Sequence, residues 1–162
     1  MSSAKERILP AGGGERIPAS VGGDVITIKA EGAGTHGSVA VVEYESAPAR
    51  RGPPPHRHEA HEECFYVLSG VLSMLVDDEV VLVRPGEFVV APRLVRHTFW
   101  NAGPLPCRFL ATFSPAGFEG VFREFARMVD TGADAAELAL LPQRYGTEIL
   151  RWPPGTCPWR EP

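Results

Sequence analysis

The chain has 162 residues and a mass of 17.5 kDa, the size of one ordinary domain, and its 44% hydrophobic and 22% charged residues exclude global disorder. A formal net charge of −4 and a pI near 5.7, with no basic stripe, argue against nucleic acid as a partner, and no apolar run approaches the roughly 18 residues of a membrane span. Gly 17 and Pro 16 make up about a fifth of the chain, which disfavours a helical bundle and favours short strands joined by turns.

Residues 1–23 are rich in Gly, Ser and Ala, with the run Ala11-Gly12-Gly13-Gly14, and read as a flexible arm. No apolar core follows the opening Met1-Ser2-Ser3-Ala4-Lys5-Glu6-Arg7, so it is not read as a secretory signal. The cysteines Cys64, Cys107 and Cys157 are far apart and form no C-x-x-C pair, the pattern of reduced thiols in a cytoplasmic protein. Strands are predicted at 25–29, 38–44, 64–69, 71–76, 80–84, 88–91, 97–101 and 108–113, rich in Val, Phe and Tyr and bounded by Gly, Pro, Asp or Asn. Val76-Asp77-Asp78-Glu79-Val80 reads as a hairpin turn, which suffices to explain three acids in a row. Eight short strands without intervening helices predict an all-β, antiparallel sandwich or barrel over 24–113.

The period changes in the remainder, 114–162. Ser114-Pro115 has the form of a helix start, and Phe118, Val121, Phe122, Phe125, Met128 and Val129 recur at three- and four-residue steps. A second short helix is predicted over 134–141, stopped by Pro142. The tail Trp152-Pro153-Pro154-Gly155-Thr156-Cys157-Pro158-Trp159 is irregular, and its tryptophans are expected to pack on the body or on a neighbouring subunit.

Placement distinguishes the histidines. His56, His58 and His61 fall within six residues, among Glu59, Glu62 and Glu63, while His97 stands about forty residues later. Strand alternation puts His56 and His58 on one face, where a carboxylate and a third imidazole from other strands can join them. Three nitrogens and one oxygen suit a divalent first-row metal with open positions. The alternative for this segment is a solvated loop that binds metal adventitiously, and for His97 alone a structural histidine.

His56-Arg57-His58, then four residues, Glu63, six residues and Gly70 resemble the first motif of the cupin superfamily. Gly86, Pro92, His97 and Asn101 resemble its second. The likeness departs at Arg50 and Leu94, where that pattern has glycine. It implies a double-stranded β-helix (jelly-roll) barrel with a C-terminal helical appendix, and the metal ligands His56, His58, Glu63 and His97. Glu63 shares its strand face with Phe65 and Val67, whereas Glu62 shares its face with Cys64 and Tyr66. His61 lies outside the motif and is expected on the exposed rim or behind a ligand. Cys64 is expected to face away from the metal as a buried structural thiol.

Pro54-Pro55-His56-Arg57-His58, the stretch from Glu63 to Gly70, and Pro115-Ala116-Gly117-Phe118-Glu119 are similar to small quercetinase-like cupins. This resemblance implies Fe, Ni, Mn or Co held by three His and one Glu, with a substrate hydroxyl on the metal and Glu63 as proton acceptor. Phe65, Val67, Phe99 and Phe113 would then line a pocket for a flat aromatic or enolic substrate, or else form plain barrel core. Two other functions are compatible: a Lewis-acid enzyme using Zn, such as a polyketide cyclase or isomerase, and a non-enzymatic small-molecule-binding or regulatory protein. By the same analogy a homodimer is expected, formed through sheet edges and the arm before Val25.

Overall fold

Alternation of apolar and polar residues builds two antiparallel sheets that face each other across one core. The computed structural model describes residues 8–18 and 23–159. Its strands are β1 (Glu15–Pro18), β2 (Val25–Ala30), β3 (Ala40–Ser46), β4 (His56–His58), β5 (Glu62–Ser69), β6 (Leu72–Val76), β7 (Glu79–Val83), β8 (Phe88–Ala91), β9 (His97–Trp100), β10 (Cys107–Ser114) and β11 (Thr147–Ile149). The six-stranded sheet runs β1-β2-β3-β10-β5-β8 and the five-stranded sheet β11-β4-β9-β6-β7. Each of the eight predicted strands is present, with ends within two residues of expectation.

The core follows from the period of two. Along β5 the side chains of Glu63, Phe65 and Val67 are buried, while Tyr66 and Leu68 are exposed. Phe109 and Phe113 of β10 and Val42 of β3 extend the same inner face, and Leu72, Met74 and Phe99 meet it from the other sheet. Phe109 lies flat on Tyr44 at 5.0 Å and meets Phe99 edge-on at 5.0 Å. The β6–β7 hairpin pairs Val76 with Glu79, and Asp77 takes the left-handed conformation (φ 55°) that a two-residue turn demands. Together these features make a jelly-roll β-barrel with a small helical C-terminus.

The helices are α1 (Gly32–Thr35), which the sequence did not announce, α2 (Gly120–Asp130) and α3 (Ala135–Leu140). Among the described residues, no helix is long and apolar enough to cross a membrane. Helix α2 lays Val121 and Met128 inward, while Phe118 and Phe122 pack onto the barrel core.

Four expectations change. Within the predicted arm, Glu15–Pro18 is a strand paired with β2, and Arg123 of α2 binds its Glu15 at 2.6 Å; residues 1–7 and 19–22 lie outside the described residues. Ser114-Pro115 does not start a helix. Ser114 stays in β10, and its hydroxyl donates to the Ser38 carbonyl at 3.0 Å instead of capping. The turn that follows, which a cis Ser114-Pro115 bond opens, is closed by the Glu119 carboxylate, which accepts from Gly117 N and Gly32 N, so α2 starts only at Gly120. The second helix stands as α3, within one residue of the expected 134–141, but the backbone runs on past Pro142 as 3₁₀ turns instead of stopping there. Asp134 and Glu137 form a reciprocal capping box for α3, and Pro142 then enters the first turn of a 3₁₀ helix, Leu141–Tyr145, where its missing N–H costs nothing. Cys64 is half-buried rather than buried, since its face of β5 looks outward.

The tail packs on the body. Trp152 meets Trp100 of β9 edge-on at 5.6 Å, and the Arg51 guanidinium lies 4.8 Å above the ring of Trp159.

Candidate metal centre

Three strands from different parts of the chain deliver the four predicted ligands to one place. Alternation along β4 turns His56 and His58 inward together, and His97 of β9 is the direct register partner of His56. Glu63 enters from β5 in the opposite sheet. One possible ligand atom from each of His56, His58, Glu63 and His97 lies within 4.8 Å of the others, and all four residues are buried.

The hydrogen bonds explain how the rings are aimed. His56 Nδ1 donates to the Pro54 carbonyl at 2.8 Å, and His97 Nδ1 donates to the Val95 carbonyl at 3.0 Å. His58 Nδ1 meets the Thr147 hydroxyl at 3.0 Å. Each ring therefore has its outer nitrogen engaged and its Nε2 left for the centre, the arrangement that orients imidazole ligands in metal sites. Glu63 Oε2 accepts from Nε2 of both His58 and His97, each at 3.0 Å.

These contacts set the charges. Burial pushes His56 down to about 3, and the facing His97 adds to the effect, so its ring is neutral. Burial pulls His97 down, but the Glu63 hydrogen bond, the charge of that carboxylate and the bond to the Val95 carbonyl together outweigh it and leave the ring above the ordinary histidine value. Burial would raise Glu63, yet the hydrogen bonds from His58 and His97 hold it well below the usual carboxylate range. Three imidazoles and one ionised carboxylate can hold a divalent first-row metal and still leave open coordination positions.

His61 lies behind the predicted ligand His58, the second of its two expected places, and not on the exposed rim. It is 4% exposed, with its ring 4.2 Å from that of His58 and 4.9 Å from that of Phe118. The ring of Phe118, far along the chain, covers it, which no local signal announces. Its Nε2 is buried with no hydrogen-bond partner among the described residues, and burial pushes the ring down to about 4. The expected pocket residues Phe65, Val67 and Phe113 are fully buried core side chains, with Phe99 at the edge of a separate hollow of ≈ 180 Å³ beside Trp100, Trp152 and Trp159. Thr147 was not visible as a site residue, because nothing local links it to His58 across 89 positions.

A family model described as a cupin domain matches residues 42–113, the stretch from β3 to β10 that contains all four predicted ligands. Among characterised relatives, quercetin 2,3-dioxygenase of Bacillus subtilis is 29% identical over 116 residues, which is 72% of this chain and 33% of that protein. An uncharacterized protein of Methanocaldococcus jannaschii is 32% identical over 60 residues, 37% of this chain and 48% of the other. The chain thus spans about a third and about half of the lengths of these two relatives. Among solved structures, KdgF from a Halomonas species superposes with a TM-score of 0.57 at 23% identity, covering 65% of this chain and 90% of that one. The polyketide cyclase RemF from Streptomyces resistomycificus gives 0.51 at 26% identity, covering 62% and 70%.

Proposed function

The chain carries a cupin domain, and from that premise we propose that it is a metal-binding enzyme acting on a small aromatic or enolic molecule, as a dioxygenase of the quercetinase-like type. The observation that carries this reading is the buried convergence of His56, His58, Glu63 and His97 within 4.8 Å, with the outer nitrogen of every ring already engaged. The identity to a quercetin dioxygenase across 72% of the chain supports the reaction class. His56, His58, Glu63 and His97 would hold one divalent ion (Fe, Ni, Mn, Co or Zn). When bound there, such an ion would lower the pKa of a coordinated substrate hydroxyl and would supply the chemistry for reaction with O2.

The protein's own part is to bind, orient and move one proton. Glu63 is the carboxylate of the cluster and takes the hydroxyl proton in this reading. The engaged Nδ1 atoms keep the imidazoles from turning, and the aromatic core around Phe65 and Phe113 excludes water from the inner face.

A second reading is a non-redox Lewis-acid enzyme with zinc, favoured by the likeness to a polyketide cyclase. Metal analysis and O2 uptake on untagged protein separate the two. Uptake on a flavonol or enediol after loading with Fe²⁺ or Ni²⁺ supports the dioxygenase. Zinc-filled protein without uptake under any loading overturns it in favour of the Lewis acid. Failure of every metal to bind leaves a small-molecule-binding protein. Glu63→Gln with metal retained and turnover reduced about 10²–10⁴-fold supports the base role. The expected homodimer belongs to the same proposal, supported by the edge of β8, which has no neighbouring strand among the described residues, and sedimentation at micromolar concentration checks it.

A further inference from the structure

We propose that Thr147, on a strand beyond the matched domain, is a positioning residue that orients His58 for the metal centre. The inference rests on the metal-binding reading above and adds the C-terminal segment to that site.

The ligand strand β4 is only three residues long, and on its β9 side a single register pair, His56 with His97, holds it. Its other edge is closed by β11 in full register: Thr147 opposite His58, Glu148 opposite Arg57, and Ile149 opposite His56. Bonds at both ends fix that register. Glu59 N donates to the Gly146 carbonyl at 3.0 Å, and Leu150 N donates to the Pro55 carbonyl at 2.7 Å. The outward Arg57 and Glu148 pair at 2.6 Å across the same two strands. Gly146, in the left-handed conformation (φ 69°), ends the 3₁₀ helix and turns the chain into β11. The result places the Thr147 side chain, 4% exposed, against His58 Nδ1 at 3.0 Å.

Chemistry separates this partner from the other two. Pro54 and Val95 offer carbonyl oxygens, which accept only, so His56 and His97 are held with hydrogen on Nδ1. A hydroxyl both donates and accepts. Thr147 therefore satisfies His58 when Nε2 carries the hydrogen that it gives to Glu63, and equally when Nε2 is free to ligate and the hydrogen sits on Nδ1. Loss of such an outer partner costs roughly 10–100-fold in metal affinity.

The test compares untagged wild type, Thr147→Val and Thr147→Ser by calorimetric titration with Ni²⁺ and Co²⁺, and by imidazole ¹⁵N shifts of His58 in the metal-free chain. Thr147→Val keeps the shape and removes the hydroxyl; Thr147→Ala carries the same test should the valine variant not fold. The expected result is affinity about 10–100-fold weaker for Thr147→Val, near-wild-type affinity for Thr147→Ser, and His58 shifts that move only in the variant without a hydroxyl. Affinity within about twofold of wild type, with unmoved His58 shifts, overturns the inference. Wild type that binds neither ion overturns the metal reading instead, and the His58 shifts alone then decide the role of Thr147.

Discussion

His56 and His97 face each other as the single register pair between β4 and β9, with ring centroids 4.5 Å apart. Their bonds differ, however. His97 donates to Glu63, whereas His56 is tied to the Pro54 carbonyl. Alanine at either position should abolish tight metal binding, but the two should differ in metal-free stability. His97→Ala leaves the buried Glu63 carboxylate with one imidazole fewer and should cost about 3 kcal/mol or more, with His56→Ala costing less. Urea unfolding in the presence of a chelator measures both.

Leu94 occupies the left-handed region, φ 66°, at the position where the second motif has glycine. For a branched residue that conformation costs about 1–2 kcal/mol, against about 0.5–1 kcal/mol of extra chain entropy for glycine. The side chain is 57% exposed, so little packing is lost. Leu94→Gly should therefore leave stability unchanged or raise it by up to about 1 kcal/mol, read as a higher urea midpoint at constant slope. Leu94 N donates to the His58 carbonyl at 2.9 Å, a bond that glycine retains, so metal affinity should not change.

A Cβ on Gly52 would lie 1.6 Å from the Phe99 carbonyl oxygen, which is backbone of the β9 ligand strand. Gly52→Ala must displace one of the two chains, at the upper end of about 1–3 kcal/mol or beyond. Because Pro53, Pro54 and Pro55 lead from there into His56, both a lower melting temperature and weaker metal binding are expected. Calorimetry of the same sample reads both.

Glu43 predicts the acid limb of stability. Burial raises its pKa, but hydrogen bonds from Arg108 and Lys29 prevail and hold it below the ordinary value. A carboxyl depressed in the folded state adds stability above its unfolded pKa and loses it as pH falls through the folded one. Wild type should exceed Glu43→Gln by on the order of 1 kcal/mol at neutral pH, and the gap should close below the usual carboxylate pKa of about 4.5. Equal melting temperatures at pH 7 would contradict this.

The strands and the convergence of His56, His58, Glu63 and His97 were legible because both are written locally, in a two-residue alternation and in the fixed spacing from His56 to Asn101. What was not legible depends on distant partners. His61 is buried by Phe118, and Ser114 gives its hydroxyl to Ser38 instead of a helix. Pro142, a stop signal in isolation, fits the first turn of a 3₁₀ helix once Leu141 is drawn into the core. Thr147 reaches His58 only because β11 returns to the barrel.

That return fixes an order of events during synthesis. Strand β4 has its first neighbour when residue 97 is made and its second only with residues 147–149. His56, His58, Glu63 and His97 all leave the ribosome long before the strand that closes the β4 edge. A nascent chain holding the whole matched segment, 42–113, thus carries two of its histidines on a three-residue ribbon open on one side. The cluster reaches its final form only once residues 147–149 have been made and paired with β4.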